Sequence, residues 1–111
     1  MASPLTPAVF HVLLSLADGE RHGYGILKDV LQHTDGQVRL GPGTLYGTLQ
    51  RLMDAGWVEE SSRRAAVEDE RRRFYRLTRG GRLALEAEVQ RMERLVTHAR
   101  SRPPAAKASR T

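Results

Sequence analysis

The sequence predicts a mainly α-helical fold with one β-hairpin, and three observations carry that expectation. Apolar residues recur at helical spacing in three stretches before residue 55; two short strand-forming stretches follow; a further amphipathic stretch runs from about residue 80 to 100. Apolar residues make up 40% of the 111-residue chain and charged residues 28%, close to the globular averages, so a single domain with a real core is expected. Cysteine is absent, which excludes a disulfide framework, a thiolate zinc site, an iron–sulfur cluster and a cysteine nucleophile. The apolar run Val12-Leu13-Leu14 breaks at Ser15, too soon to span a bilayer. No basic lead with a long apolar stretch opens the chain, so a cytoplasmic protein with no membrane partner is expected.

Each element follows from local chemistry. Thr6-Pro7 is a helix start, because threonine caps and proline suits the first helical position. Val9, Phe10, Val12, Leu13, Leu14, Leu16 and Ala17 then wrap most of the way round helix 1 and predict near-complete burial; Asp18-Gly19-Glu20 ends it. His22-Gly23-Tyr24-Gly25 opens helix 2, with Ile26, Leu27, Val30 and Leu31 on one face and Thr34-Asp35-Gly36 as its stop. Two glycines near a helix start cost roughly 1 kcal/mol each, which predicts a close approach to another element. Pro42 starts helix 3, whose stripe Leu45, Leu49, Leu52 and Met53 faces the core, and Gly56 ends it. Trp57–Glu60 and Arg73–Thr78 are strand-like, with a polar loop from Ser61 to Arg72 between them. Thr78 is a cap for helix 4, on which Leu85, Val89, Met92, Val96 and Ala99 step by four, three, four and three.

The order α-α-α-β-β-α is that of a winged helix-turn-helix with a C-terminal dimerisation helix. Residues 5–79 are assigned to the winged unit and 80–100 to the dimerisation helix. Residues 101–111, with Pro103-Pro104 at their head, are assigned to a disordered basic tail. A lone amphipathic helix after a complete small domain leaves a stripe exposed; pairing of two copies through Leu85, Val89, Met92, Val96 and Ala99 buries it, and helix 1 is expected to join that interface.

Charge is unevenly placed. Residues 1–60 carry four basic and seven acidic side chains, whereas residues 61–80 carry seven and three, and residues 101–111 carry three and none. A basic segment beside a helix-turn-helix points to double-stranded DNA as partner. The outer side of helix 3 carries Gly43, Gly47, Gln50, Arg51 and Asp54, flanked by Thr44, Tyr46 and Thr48. Gly47 would let the backbone approach a base pair, Gln50 suits an adenine edge, Arg51 a guanine edge or a phosphate, and the hydroxyls of Thr44 and Tyr46 suit phosphate oxygens. Arg63, Arg64, Arg72 and Arg73 bracket the hairpin loop and fit phosphates or a narrow minor groove. Arg71 stands beside them, and Glu68-Asp69-Glu70 is expected to pair with neighbouring arginines rather than meet DNA.

The remaining residues suggest no chemistry. His11, His22 and His33 are evenly spaced but sit at unrelated helix positions, so no metal and no cofactor is expected; a hydrogen bond within its turn is the expected role of His22. No Gly-rich phosphate loop, glycine-flanked serine or isolated carboxylate pair is present, so an enzyme is not expected. The rival to a DNA reader is a protein–protein adaptor on the same fold, which would bind no duplex even at low salt.

His22-Gly23-Tyr24-Gly25-Ile26, Gly43-Thr44-Leu45-Tyr46 with Leu49 and Arg51-Leu52, Gly56-Trp57-Val58, and Arg73–Thr78 with Gly81 occur in this order. Together they resemble the PadR-like family of transcriptional regulators, over about residues 5 to 100. The resemblance implies a sequence-specific, dimeric winged-helix repressor that binds an inverted-repeat operator and is released by a small-molecule effector or a stress signal. It also implies that Tyr46 and its helix-3 neighbours touch DNA while wing arginines add contacts. The short C-terminal helix is similar to that of the family's small subgroup. Two departures stand out: helix 4 lacks the aromatic that some small members use to sandwich flat ligands, and position 47 is glycine where many relatives carry a larger or basic residue.

Overall fold

The computed structural model describes residues 4–64 and 73–102, with only the backbone for 62–64. Its elements are α1 (Pro7–Ala17), β1 (Arg21–His22), α2 (Gly23–His33), α3 (Pro42–Asp54), β2 (Val58–Arg64), β3 (Arg73–Leu77) and α4 (Arg79–Arg100). The winged helix-turn-helix order is present, with one addition. A two-residue strand precedes α2 and pairs antiparallel with β3, so the sheet has three strands in the order β1-β3-β2. The hairpin register sets Val58 against Leu77 and Glu60 against Tyr75, with an irregularity before Arg64 meets Arg73.

The helix boundaries follow the capping chemistry. The Thr6 hydroxyl accepts from the Val9 amide at 3.2 Å, with Pro7 next in line. His22 Nδ1 accepts from the Gly25 amide at 3.1 Å, which makes the histidine the N-cap of α2. Thr34 closes that helix by donating to the Val30 carbonyl at 2.9 Å and accepting from the Val38 amide at 3.0 Å. The turn that follows needs left-handed backbone at Asp35 (φ 52°) and Gly36 (φ 79°), which glycine supplies without strain. Thr78 caps α4 by accepting from Gly81 and donates to the Gly56 carbonyl at 2.6 Å, tying the start of α4 to the end of α3.

Three faces meet in the core. Helix α1 contributes Val12, Leu13 and Leu16; α2 contributes Ile26 and Val30; α3 contributes Leu45, Leu49 and Leu52. The sheet adds Val58, Tyr75 and Leu77, and α4 adds Leu85. Val89 and Met53 are half-buried against this cluster. Leu85, expected in a seam between two copies, is thus a member of its own subunit's core. The next turn of α4 also faces inward: Glu88 is buried at 5% exposure. Its carboxylate takes two hydrogen bonds from Arg91, at 2.7 and 3.0 Å. These bonds, with a lesser one from the Leu5 backbone, hold the Glu88 pKa below the ordinary carboxylate range against the opposing effect of burial. Beyond Met92 every α4 residue is exposed. Leu83, Leu95 and Val96 are among the exposed large apolar side chains of the described residues.

Candidate nucleic-acid interface

Helix α3 separates its faces as the stripe required. Leu45, Leu49 and Leu52 are at most 4% exposed, whereas Thr44, Tyr46, Gln50 and Arg51 all face outward. Thr48 departs from the expectation of a polar flank. It is fully buried, one turn from both Leu45 and Leu52, and its hydroxyl accepts from Arg51 Nη2 at 3.4 Å. That bond holds the guanidinium along the helix surface. Gln50 donates to Asp54 at 3.1 Å. The space over Gly43 is open, and a Cβ on Gly47 would meet only Arg51 Nη1, at 3.9 Å. A flat partner can therefore approach the α3 backbone closely along this edge.

Tyr46 links this face to α2. Its phenol lies so close over Gly23 that a Cβ there would collide with the ring and its hydroxyl, the close approach the paired glycines predicted. Behind it lies Tyr75 of β3, buried at 6% exposure. Its pKa is raised above the ordinary phenol value, first by burial and then by the fields of Tyr46 and Glu60. Gly23→Ala is expected to cost about 1–2 kcal/mol by overpacking. In a Tyr46→Ala background the penalty should vanish, so denaturant unfolding of the four proteins tests the contact as a double-mutant cycle. Equal penalties in both backgrounds would show that the two residues do not meet.

The hairpin is more heavily paired than its arginine count suggests. Arg73 Nε lies 3.2 Å from Glu60. Arg76, absent from the expected site, bonds Glu59 at 2.7 Å and approaches Glu20 at 3.5 Å. These pairs are exposed and each contributes at most about 1 kcal/mol. Strand β2 carries Arg63 and Arg64 on its backbone, four residues further than Trp57–Glu60 suggested. The side chains of Arg63 and Arg64 lie outside the described residues, as do Arg71, Arg72, the Glu68-Asp69-Glu70 trio and the basic tail from Pro103 onward.

The other expected sites divide clearly. Leu85 and Val89 pack on the core of their own chain, whereas Val96 and Ala99 are exposed and Met92 is half-buried between the two groups. The three histidines have separate local roles. His11 meets Phe10 edge-on at 5.3 Å, His22 caps α2, and His33 Nδ1 lies 3.1 Å from Asp29. Among the described residues no three His, Asp or Glu side chains converge on a point that could hold a metal, and no described helix is long and apolar enough to cross a membrane.

Comparison with known proteins adds a consistent set of likenesses. The pattern of the transcriptional regulator PadR-like family matches residues 12–87. The transcriptional regulator Rv3488 of Mycobacterium tuberculosis is 38% identical over 85 residues, which are 77% of this chain and 75% of that protein. A transcriptional regulator from Clostridium thermocellum has the same fold, with a TM-score of 0.68 and 25% identity over 84% of this chain and 86% of its own. Bacillus subtilis PadR, solved in complex with operator DNA, aligns with a TM-score of 0.65 at 21% identity, over 78% of this chain and 48% of its own; at that identity the likeness is one of fold.

Proposed function

The chain belongs to the PadR-like family of transcriptional regulators, and from that premise we propose that it is a dimeric repressor reading an inverted-repeat operator. One observation carries the reading. Helix α3 buries its apolar stripe completely and leaves Thr44, Tyr46, Gln50 and Arg51 on one open edge, beside two glycines whose outer space is empty. Such an edge fits a major groove about 12 Å wide, with Gln50 and Arg51 at base edges and the Thr44 and Tyr46 hydroxyls at phosphates. Arg63, Arg64, Arg72 and Arg73 supply phosphate affinity from the wing. The exposed apolar side chains of α4 support pairing of two copies, and two heads related by a two-fold axis match a palindromic site.

Selection of bound sequences from random duplex tests class, symmetry and site together. An inverted repeat is expected; a recovered pool without symmetry would exclude the two-headed arrangement. On the selected operator, Arg51→Ala should weaken binding by about 1–3 kcal/mol if the guanidinium leaves Thr48 to fork onto a base. An unchanged affinity in a gel shift would remove Arg51 from the contacts.

A further inference from the structure

A groove of about 200 Å³ lies beside the start of α3, lined by Tyr24, Leu27, Lys28, Leu31, Arg39 and Leu40. It is built from α2 and from the residues that lead directly into Pro42. Leu27 and Leu40 form its floor and are half-buried against the core. What stands out of it is a phenol and two cations. Tyr24 is 63% exposed, and the Lys28 ammonium sits 5.6 Å over its ring. Lys28 and Arg39 are both exposed, and neither makes an ion pair with a described acid. The acid on this helix, Asp29, is taken up by Arg21 at 3.7 Å and His33 at 3.1 Å.

The groove is continuous with the outward edge of α3. Tyr46 rests its tip on Gly23, so Tyr24 is the next residue along from the recognition face. It also lies at the opposite end of α3 from the hairpin: α3 starts two residues after Leu40 and runs into β2 through the turn at Gly56. Thirteen helical residues span about 20 Å, enough to cross a major groove about 12 Å wide. Backbone contacts at the two ends of α3 would then fall on opposite walls of that groove.

We propose that Tyr24, Lys28 and Arg39 form a second phosphate grip, seating a sugar-phosphate segment of the operator on the side of α3 away from the wing. The inference rests on the DNA-reading function above and adds a contact surface to it. Charge complementarity selects the occupant: two unpaired cations flank an exposed ring, which suits phosphates on the cations and a deoxyribose against the phenol. An acidic peptide is the competing occupant, and the test separates the two.

Lys28→Gln and Arg39→Gln, singly and together, keep the side-chain stems while removing the charges. The reading is the slope of log affinity against log salt, on the selected operator and on a duplex of unrelated sequence. Each released cation should lower the slope by about 0.9 per subunit bound, so the double variant in a dimer should lose close to 4. The loss should be similar on both duplexes, because phosphate contacts carry no sequence information. Melting temperatures should match the parent, since both side chains are exposed. Slopes equal to the parent's would overturn the grip and leave the α3 reading intact. A parent protein retained by no duplex in dilute buffer would bring down both.

Discussion

Gly81→Ala is expected to destabilise the protein by about 3 kcal/mol, the upper part of the range for overpacking. In most helices the exchange gains up to about 1 kcal/mol. Here a Cβ would strike the Trp57 carbonyl and lie 3.1 Å from Leu77 Cδ2. The carbonyl cannot retreat freely. It accepts from the Thr78 amide at 3.0 Å, and its own residue's amide is bonded to the Leu52 carbonyl at 2.9 Å. The obstacle is therefore backbone fixed at both sides. A domain of this size shifts by about 4–8 °C per kcal/mol, so the melting midpoint should fall by at least about 12 °C. Gly80→Ala is the internal control. A Cβ at position 80 meets nothing closer than the Gly56 carbonyl at 3.5 Å, and its midpoint should stay level or rise. Equal midpoints for the two variants would mean that α4 is not seated on Trp57 as described.

The second large effect concerns the outer half of α4. Leu95→Glu combined with Val96→Glu should leave the melting of the subunit nearly unchanged, because these side chains are 54% and 47% exposed. Light scattering should report half the parent mass. Operator affinity should fall by at least about 100-fold, as two linked heads become two independent ones. Persistence of the dimer would place the subunit interface elsewhere. Residues nearer the start of the helix would not serve. Leu85 and Val89 contribute to the core of their own chain, so charges there would unfold the subunit and imitate loss of pairing.

Much of this was legible in the residues. The core stripe of α3 could be counted from its spacing, and the caps Thr6, Thr78 and His22 could be named from side-chain chemistry, because helices declare themselves locally. What sequence spacing concealed was always a matter of partnership. Arg21-His22 has no strand signature; it becomes β1 only because β3 offers it an edge. Ser61 to Arg64 looks like loop on polarity alone, yet the same edge-to-edge pairing extends β2 through it. Thr48 shows the same limit on a helix: a hydroxyl on the flank of an apolar stripe sits inside when a neighbouring arginine can satisfy it. The heptad of α4 found the apolar residues correctly, but a repeat cannot say which of two bodies covers them. The groove at Tyr24, Lys28 and Arg39 was invisible for a related reason, since its two cations are eleven positions apart in the chain.

The two-residue strand before α2 has a mechanical effect out of proportion to its length. It bolts the central strand on its second side, with Tyr75 set between Arg21 and Glu60. The base of the hairpin consequently cannot swing without tearing bonds next to the histidine that starts α2. Reader and wing thus share one stiff chassis. When this head meets a curved or narrowed double helix, the accommodation must come from the nucleic acid, so the cost of bending it becomes a term in sequence choice.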